Sequence, residues 1–164
     1  MNEHEMIQQL AKKHFGIVVQ DHQVAYVNKT INGFLVELGY RSTKDYMQAL
    51  TQDLSVSSPE MKAFSRAVTV NESYFFRVKP QIMYLKEQLL PKIIAARRLQ
   101  GDLRINIWSA GCAAGQEIYT VAILLSELLT DFDSWQLNLM GTDINEASLL
   151  QAKKGVYSGF SLRA

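Results

Sequence analysis

Residues 107–120 read Ile107-Trp108-Ser109-Ala110-Gly111-Cys112-Ala113-Ala114-Gly115-Gln116-Glu117-Ile118-Tyr119-Thr120. Just upstream, Leu103, Ile105 and Ile107 alternate with Arg104 and Asn106, Trp108 closes the run, and Gly101-Asp102 turns into it. Alternation with period two behind a turn predicts a strand over 103–108. Downstream, residues 116–129 carry a strongly apolar face at helical spacing. Between them lies a loop of small residues, 109–115. A strand that turns sharply into a helix needs residues without bulk: glycine reaches unusual backbone angles, and alanine lets a ligand come close. The helix N-terminus then faces any ligand with free N–H groups. The glycines, Gly111 and Gly115, follow G-x-x-x-G and not the dinucleotide pattern G-x-G-x-x-G. Many tight strand–helix turns share that spacing with no ligand, so the loop by itself is equally a plain turn.

Working outward, residues 135–141 form a second strand candidate that ends at Thr142-Asp143, and Asn145 can start a helix running through Lys154. The order strand, loop, helix, strand, acid, helix predicts the opening of a Rossmann-like α/β sheet from residue 103 to 164. Upstream the pattern is helical. Met6, Leu10 and Phe15 share a side over 5–15. Val24, Val27, Ile31, Phe34, Leu35 and Leu38 keep helical spacing over 23–38, and Gly39 stops it. Ser42 or Thr43 can cap a third helix through Tyr46, Met47 and Leu50. Ser58-Pro59 opens a fourth, with Met61, Phe64 and Val68 on its apolar face. Residues 1–70 are therefore expected to form a small helical bundle. Residues 71–102 are expected to be a linker with connecting helices, split at Pro91. The fold class predicted is a helical bundle followed by part of an α/β domain.

Four side chains around this frame could carry chemistry, and each has a plain structural explanation as well. Glu117, on the first turn of its helix, is favoured there by the helix dipole, or its carboxylate holds a cationic or hydroxyl group of a ligand over the loop. Asp143, past the end of the second strand, is a good N-cap, or accepts hydrogen bonds from ribose hydroxyls as acids at that position do in nucleotide-binding α/β folds. Arg77, after Tyr74-Phe75-Phe76, either stacks on an aromatic ring or grips a carboxylate with two parallel hydrogen bonds. Cys112 reads as a loop filler. The histidines, His4, His14 and His22, are all N-terminal, which disfavours a Cys–His nucleophile.

The 164 residues, 48% of them hydrophobic, suffice for a sizeable core, and their formal net charge of +1 gives no electrostatic reason to expect nucleic acid. Charge is balanced in both halves: seven basic and seven acidic residues over 1–70, ten and nine over 71–164. One cysteine excludes a disulfide within the chain, and with the polar N-terminus it leads us to expect a cytoplasmic setting. No sequence spacing suits a metal.

Three stretches together resemble the CheR-type methyltransferases, which methylate chemoreceptor glutamates. They are Asn71-Glu72-Ser73-Tyr74-Phe75-Phe76-Arg77, the loop stretch 107–120, and Gly141-Thr142-Asp143-Ile144-Asn145 continuing through Ala152-Lys153-Lys154-Gly155-Val156-Tyr157 to Ser161-Leu162-Arg163. The resemblance covers nearly the whole chain. It implies S-adenosylmethionine (SAM) as cofactor and a glutamate side chain of a chemoreceptor or other signalling protein as substrate. It places Asn71, Ser73 and Arg77 around the methionine end of SAM, with Arg77 on its carboxylate. Gly111 lies in the SAM loop, Glu117 is the acidic contact after it, and Asp143 is the ribose acid. Gln116 and Ile118 depart from the glutamate and proline common in the family. The family's often arginine-rich receptor helix is matched here by Asn28, Lys29 and Asn32. The family also continues past Arg163 with further strands and adenine contacts. The resemblance thus implies a SAM domain given only in its first part, inactive alone. Self-association is expected too, through the open strand edge and an under-covered helix side at Val121, Leu124, Leu125 and Leu128. Two other readings stay open: a non-catalytic regulatory or interaction module of the same family, and a nicotinamide-dependent oxidoreductase fragment.

Overall fold

The computed structural model describes residues 2–52, 55–70 and 72–162. The chain divides into two compact units, Met1–Val70 and Asn71–Ala164.

The first unit is helical: α1 (Glu3–Phe15), α2 (Asp21–Asn32), α3 (Thr43–Gln52) and α4 (Pro59–Val68). Its starts are written in the sequence. Asn2 and Glu5 form a capping box, and the Ser58 side chain accepts from Met61 N–H ahead of Pro59. Ser42 Oγ accepts from Asp45 N–H at 3.1 Å. The apolar faces converge on one core that includes Ile7, Ile31, Tyr46, Leu50 and Phe64, each fully buried. Tyr46 donates its hydroxyl to the Glu60 carbonyl at 2.7 Å. Burial first, then nearby Glu60 and Tyr40, pushes this phenol far above its ordinary range.

The second helix is shorter than the spacing over 23–38 predicts. Gly33 N–H divides its bond between Lys29 O and Thr30 O, and Phe34 N–H then reaches only to Ile31 O. The ladder thereby tightens into turns, yet Phe34 and Leu35 stay buried. The apolar period outlives the helix because burial depends on position and not on the hydrogen-bond pattern.

The second unit begins with α5 (Lys79–Tyr84), a π-helical turn (Leu85–Leu89) and α6 (Leu90–Leu99). Pro91 does not break this helix as expected. Its missing N–H is absorbed by widening the preceding turn, with Leu90 N–H bonding back to Leu85 O, so the axis continues. β1 (Arg104–Ala110), α7 (Gln116–Leu128), β2 (Gln136–Thr142) and α8 (Glu146–Lys154) follow. β1 and β2 pair in parallel, Arg104 opposite Gln136 through Ala110 opposite Thr142. β1 runs two residues further than the alternation to Trp108 indicates, because pairing with Gly141 and Thr142 draws Ser109 and Ala110 into the sheet.

Side chains alternate across this sheet as the pleat requires. Ile105, Ile107, Leu137 and Leu139 join a core with Val121, Leu124, Leu125, Leu90 and Ile94. The apolar side of α7 is therefore covered, with Leu124 and Leu125 fully buried and Val121 nearly so. This corrects the expectation of lost cover at Val121, Leu124 and Leu125, while Leu128 is half-buried: α6, read from sequence as a connection, supplies Leu90 and Ile94 as the cover. The opposite sheet face carries Trp108, which donates to Thr142 Oγ1 at 2.9 Å, and an Asn106–Asn138 hydrogen bond of 2.7 Å. Among the described residues the sheet has two strands, and no helix is long and apolar enough to cross a membrane.

Candidate functional site

Both strands end on the same side, because they are parallel, and the polar groups gather there. Gly111 and Cys112 N–H both donate to Thr142 O, at 2.8 and 2.9 Å, which seats the loop after β1 on the end of β2. Gly111, Ala113 and Gly115 all take positive φ. For Ala113 that conformation is unfavourable by about 1–2 kcal/mol. Its own N–H holds it there, donating to Asp143 Oδ2 at 2.8 Å.

Asp143 thus joins the two loops. Its other oxygen accepts from Asn145 N–H at 2.8 Å. It is not the cap of α8; Asn145 is, accepting from Ser148 N–H at 3.2 Å. A carboxylate offers about four acceptor positions, so two backbone bonds leave Asp143 able to accept two more donors.

Glu117 stands on the first turn of α7 and accepts from Ser109 Oγ at 2.7 Å. Ser109 is buried and fixes that carboxylate from β1. Gln116 beside it is also buried, and its Oε1 has no hydrogen-bond partner among the described residues. A buried unpaired acceptor costs free energy; His14 Nε2 and Asn28 Oδ1 in the helical unit are unpaired in the same way, so Gln116 is singled out by its place beside Glu117 and not by being unpaired.

The glycines separate by what surrounds them. A Cβ on Gly111 would meet nothing within 4 Å, so the loop faces open space there. On Gly141 it would lie 2.8 Å from Cys112 Sγ, so the cysteine occupies the volume that the glycine vacates. Cys112 is buried, as a filler should be. Burial first, then Asp143 and Glu117, pushes its thiol above the ordinary range, which keeps it protonated and unreactive at neutral pH.

Arg77 lies in a segment docked on α7. Phe76 N–H donates to Thr120 Oγ1 at 3.1 Å, and that hydroxyl donates to Gln116 O at 2.7 Å. The guanidinium donates to Glu72 O and lies over the Tyr74 ring at 5.6 Å. The structure brings Glu117, Asp143 and Gly111 to one loop, and anchors the neighbour of Arg77 one turn beyond Glu117. Among the described residues no hydrogen bond joins Arg77 to either acid. Ser73 is half-buried, and Asn71 lies outside the described residues.

Ser109 and Tyr157 were given no role from sequence, and Gln116 was noted there as a departure from the family pattern. Ser109 had a usable signal: it continues the inward period of Ile105 and Ile107. Tyr157, which donates to Ala114 O at 2.6 Å, stands far from the loop in sequence, and its one signal was its place in the stretch 152–157 of the resemblance.

Comparison with known proteins agrees with this geometry. Residues 71–164 match the family model described as CheR methyltransferase, SAM binding domain. The chain is similar to the chemotaxis protein methyltransferase of Borreliella burgdorferi, at 26% identity over 87% of this chain and 50% of the relative. It is 30% identical to chemotaxis protein methyltransferase 2 of Vibrio cholerae, over 90% of this chain and 50% of that protein. With the Escherichia coli chemotaxis protein methyltransferase it shares 30% identity over 92% and 49%. The chain spans about half the length of the curated relatives it matches. With more than half of its residues matching that model, and a parallel β1–α7–β2 unit that sets a small-residue loop beside Asp143, the chain belongs to the CheR methyltransferase family.

Proposed function

We propose that residues 71–164 bind SAM over the loop 111–117 of a Rossmann-like sheet, within a cytoplasmic protein that methylates glutamate side chains of chemoreceptors or related signalling proteins. The observation that carries the reading is the Asp143 carboxylate at the carboxyl ends of two parallel strands, tied to the strained loop and still able to accept two donors. Crevices at those strand ends are where α/β sheets bind nucleotides.

The residues present suit SAM chemically. The cofactor presents two vicinal hydroxyls, an ammonium, a carboxylate and a sulfonium. Asp143 would accept from the ribose hydroxyls. Glu117, held by Ser109, would face a cationic group, and the unpaired Gln116 Oε1 is a second acceptor beside it. Arg77 would pair with the carboxylate after leaving Glu72 and Tyr74, with Asn71 and Ser73 nearby in sequence at the same end. Gly111 leaves the approach open.

The reaction asks little more of the protein. SAM supplies a methyl group on an activated sulfur. A substrate glutamate, with an ordinary pKa of about 4.3, is already anionic near pH 7. Bound SAM would offer its oxygen an activated methyl group, with the neutral thioether as the leaving group. No proton moves, so no general base is needed. The protein's task is alignment.

Calorimetric titration tests the reading. S-adenosylhomocysteine should bind and NAD should not; the reverse result would overturn the proposal in favour of a nicotinamide enzyme. Methyl transferred by the protein should be released by mild base, as an ester is, and a base-stable product would rule out a glutamate acceptor.

A further inference from the structure

Two segments assigned above to the cofactor, 72–78 and 111–115, share no hydrogen bond with one another among the described residues, yet one side chain touches both. Tyr157 donates its hydroxyl to Ala114 O at 2.6 Å. Its ring meets Phe75 edge-on, with centroids 4.9 Å apart and planes at 90°. Phe75 is buried, and its N–H donates to Ser161 O at 2.8 Å, so the segment 72–78 is also tied at Phe75 to the chain that follows Tyr157. The phenol also closes on α7. A Cβ on Gly115, the residue preceding that helix, would lie 3.2 Å from the Tyr157 oxygen and 3.2 Å from the Tyr119 ring. Tyr119 in turn donates to Ala152 O at 3.0 Å, which ties the end of α8 to the same cluster.

The strained residues flank this cluster. Phe76 and Val78 take positive φ on one side of it, and Ala113 on the other. Such conformations persist only where the surroundings over-determine them. Phenylalanine would serve the ring packing equally well, so the hydroxyl has a separate task, and its partner is a loop carbonyl. Burial first, then Tyr119 and Cys112, raises this phenol above its ordinary range, which keeps it a donor.

We propose that Tyr157 is a positioning residue for the cofactor site, whose hydroxyl on Ala114 and ring on Phe75 fix the loop 111–115 and the segment 72–78 relative to each other. The inference rests on the cofactor reading above. It predicts that the Tyr157 hydroxyl acts on affinity through the loop, without touching the cofactor.

Amide hydrogen exchange on the ligand-free protein and calorimetry with S-adenosylhomocysteine test it together. In Tyr157→Phe the Gly115 amide should exchange several-fold faster and the affinity should fall about fivefold, the effect of one neutral hydrogen bond. In Tyr157→Ala, Phe75 should lose protection as well. Leu124, in the core of the same unit, should exchange at the wild-type rate in Tyr157→Phe, which a general loosening would not allow. Unchanged exchange at Gly115 would overturn the proposal, as would acceleration spread equally to Leu124. If the wild-type protein takes up no S-adenosylhomocysteine, the cofactor reading falls, while exchange at Gly115 and Phe75 still decides whether Tyr157 couples the two segments.

Discussion

Among the described residues of the helical unit those with left-handed backbone are glycines, Gly16 and Gly39, whereas in the α/β unit Phe76, Val78 and Ala113 adopt the same conformation with full side chains. In the helical unit local signals and structure agree, although His14 Nε2 and Asn28 Oδ1 are buried without a hydrogen-bond partner among the described residues. The unit's capping residues, apolar periods and turn glycines all favour the structure that forms, and such agreement marks a segment selected for stability. The α/β unit departs from that agreement at three places, all beside the loop 111–117 or the segment docked on it. Each departure costs about 1–2 kcal/mol, and two of the three are held by a specific bond from their own N–H, Ala113 by Asp143 and Phe76 by Thr120. The contrast indicates that one unit is built for packing and the other carries strain where a ligand is proposed to sit.

The comparison can be broken most forcefully in the helical core. Phe64 is fully buried. Phe64→Ala should destabilise that unit by about 3–5 kcal/mol in urea denaturation. Affinity for S-adenosylhomocysteine, measured where the variant is still folded, should not change. A large loss of affinity would mean that the two units do not divide labour in this way.

Gly141→Ala probes close packing in the other unit. The new methyl would meet Cys112 Sγ at 2.8 Å. A cost of about 1–3 kcal/mol is expected for overpacking of this kind, and Cys112→Ala should recover part of it. A neutral Gly141→Ala would show that the cysteine is not wedged there.

A matched pair of substitutions sharpens the point about strain. Val78→Gly should stabilise the protein by roughly 0.5–1 kcal/mol, since relief of the left-handed valine exceeds glycine's entropic cost. Val36→Gly, at a valine that is 90% exposed and takes no positive φ, should destabilise by a similar amount. Effects of the same sign at both sites would remove the contrast.

The smallest effect concerns pH. Asp102 is held below its ordinary pKa, first by its hydrogen bond to Arg104, with Arg97 adding attraction. A depressed carboxylate stabilises the fold above its unfolded pKa, and that contribution is lost as pH falls through the folded value. Stability should therefore hold flat from pH 7 to about 4 at this site and slope downward below. Asp102→Asn should flatten that slope slightly, read from melting temperatures across the acid range.

The sequence made the helices of the first unit legible because caps and periods are local. Ser58-Pro59 announced α4 to the residue. The strand–loop–helix unit was legible for the same reason. What stayed hidden depended on partners distant in sequence. Ser109 and Ala110 became strand only because Gly141 and Thr142 lie beside them. Pro91 should have broken a helix, and a π-turn before it preserved the axis so that Leu90 and Ile94 could reach the core. At the site, Asp143 and Glu117 were visible from their places at element ends. The bond by which Ser109 orients Glu117, and the one by which Tyr157 reaches the loop, appear when those elements are brought together.

Asp143 is the residue proposed to receive the cofactor's ribose, and the proposed site stands or falls with it. Titration of S-adenosylhomocysteine into the wild-type protein and Asp143→Ala, with Asp143→Asn to preserve side-chain volume, measures this directly. Loss of charged hydrogen bonds should cost about 1.5–3 kcal/mol, so both variants should bind roughly tenfold or more weakly. Affinity within twofold of wild type in Asp143→Ala would contradict the account.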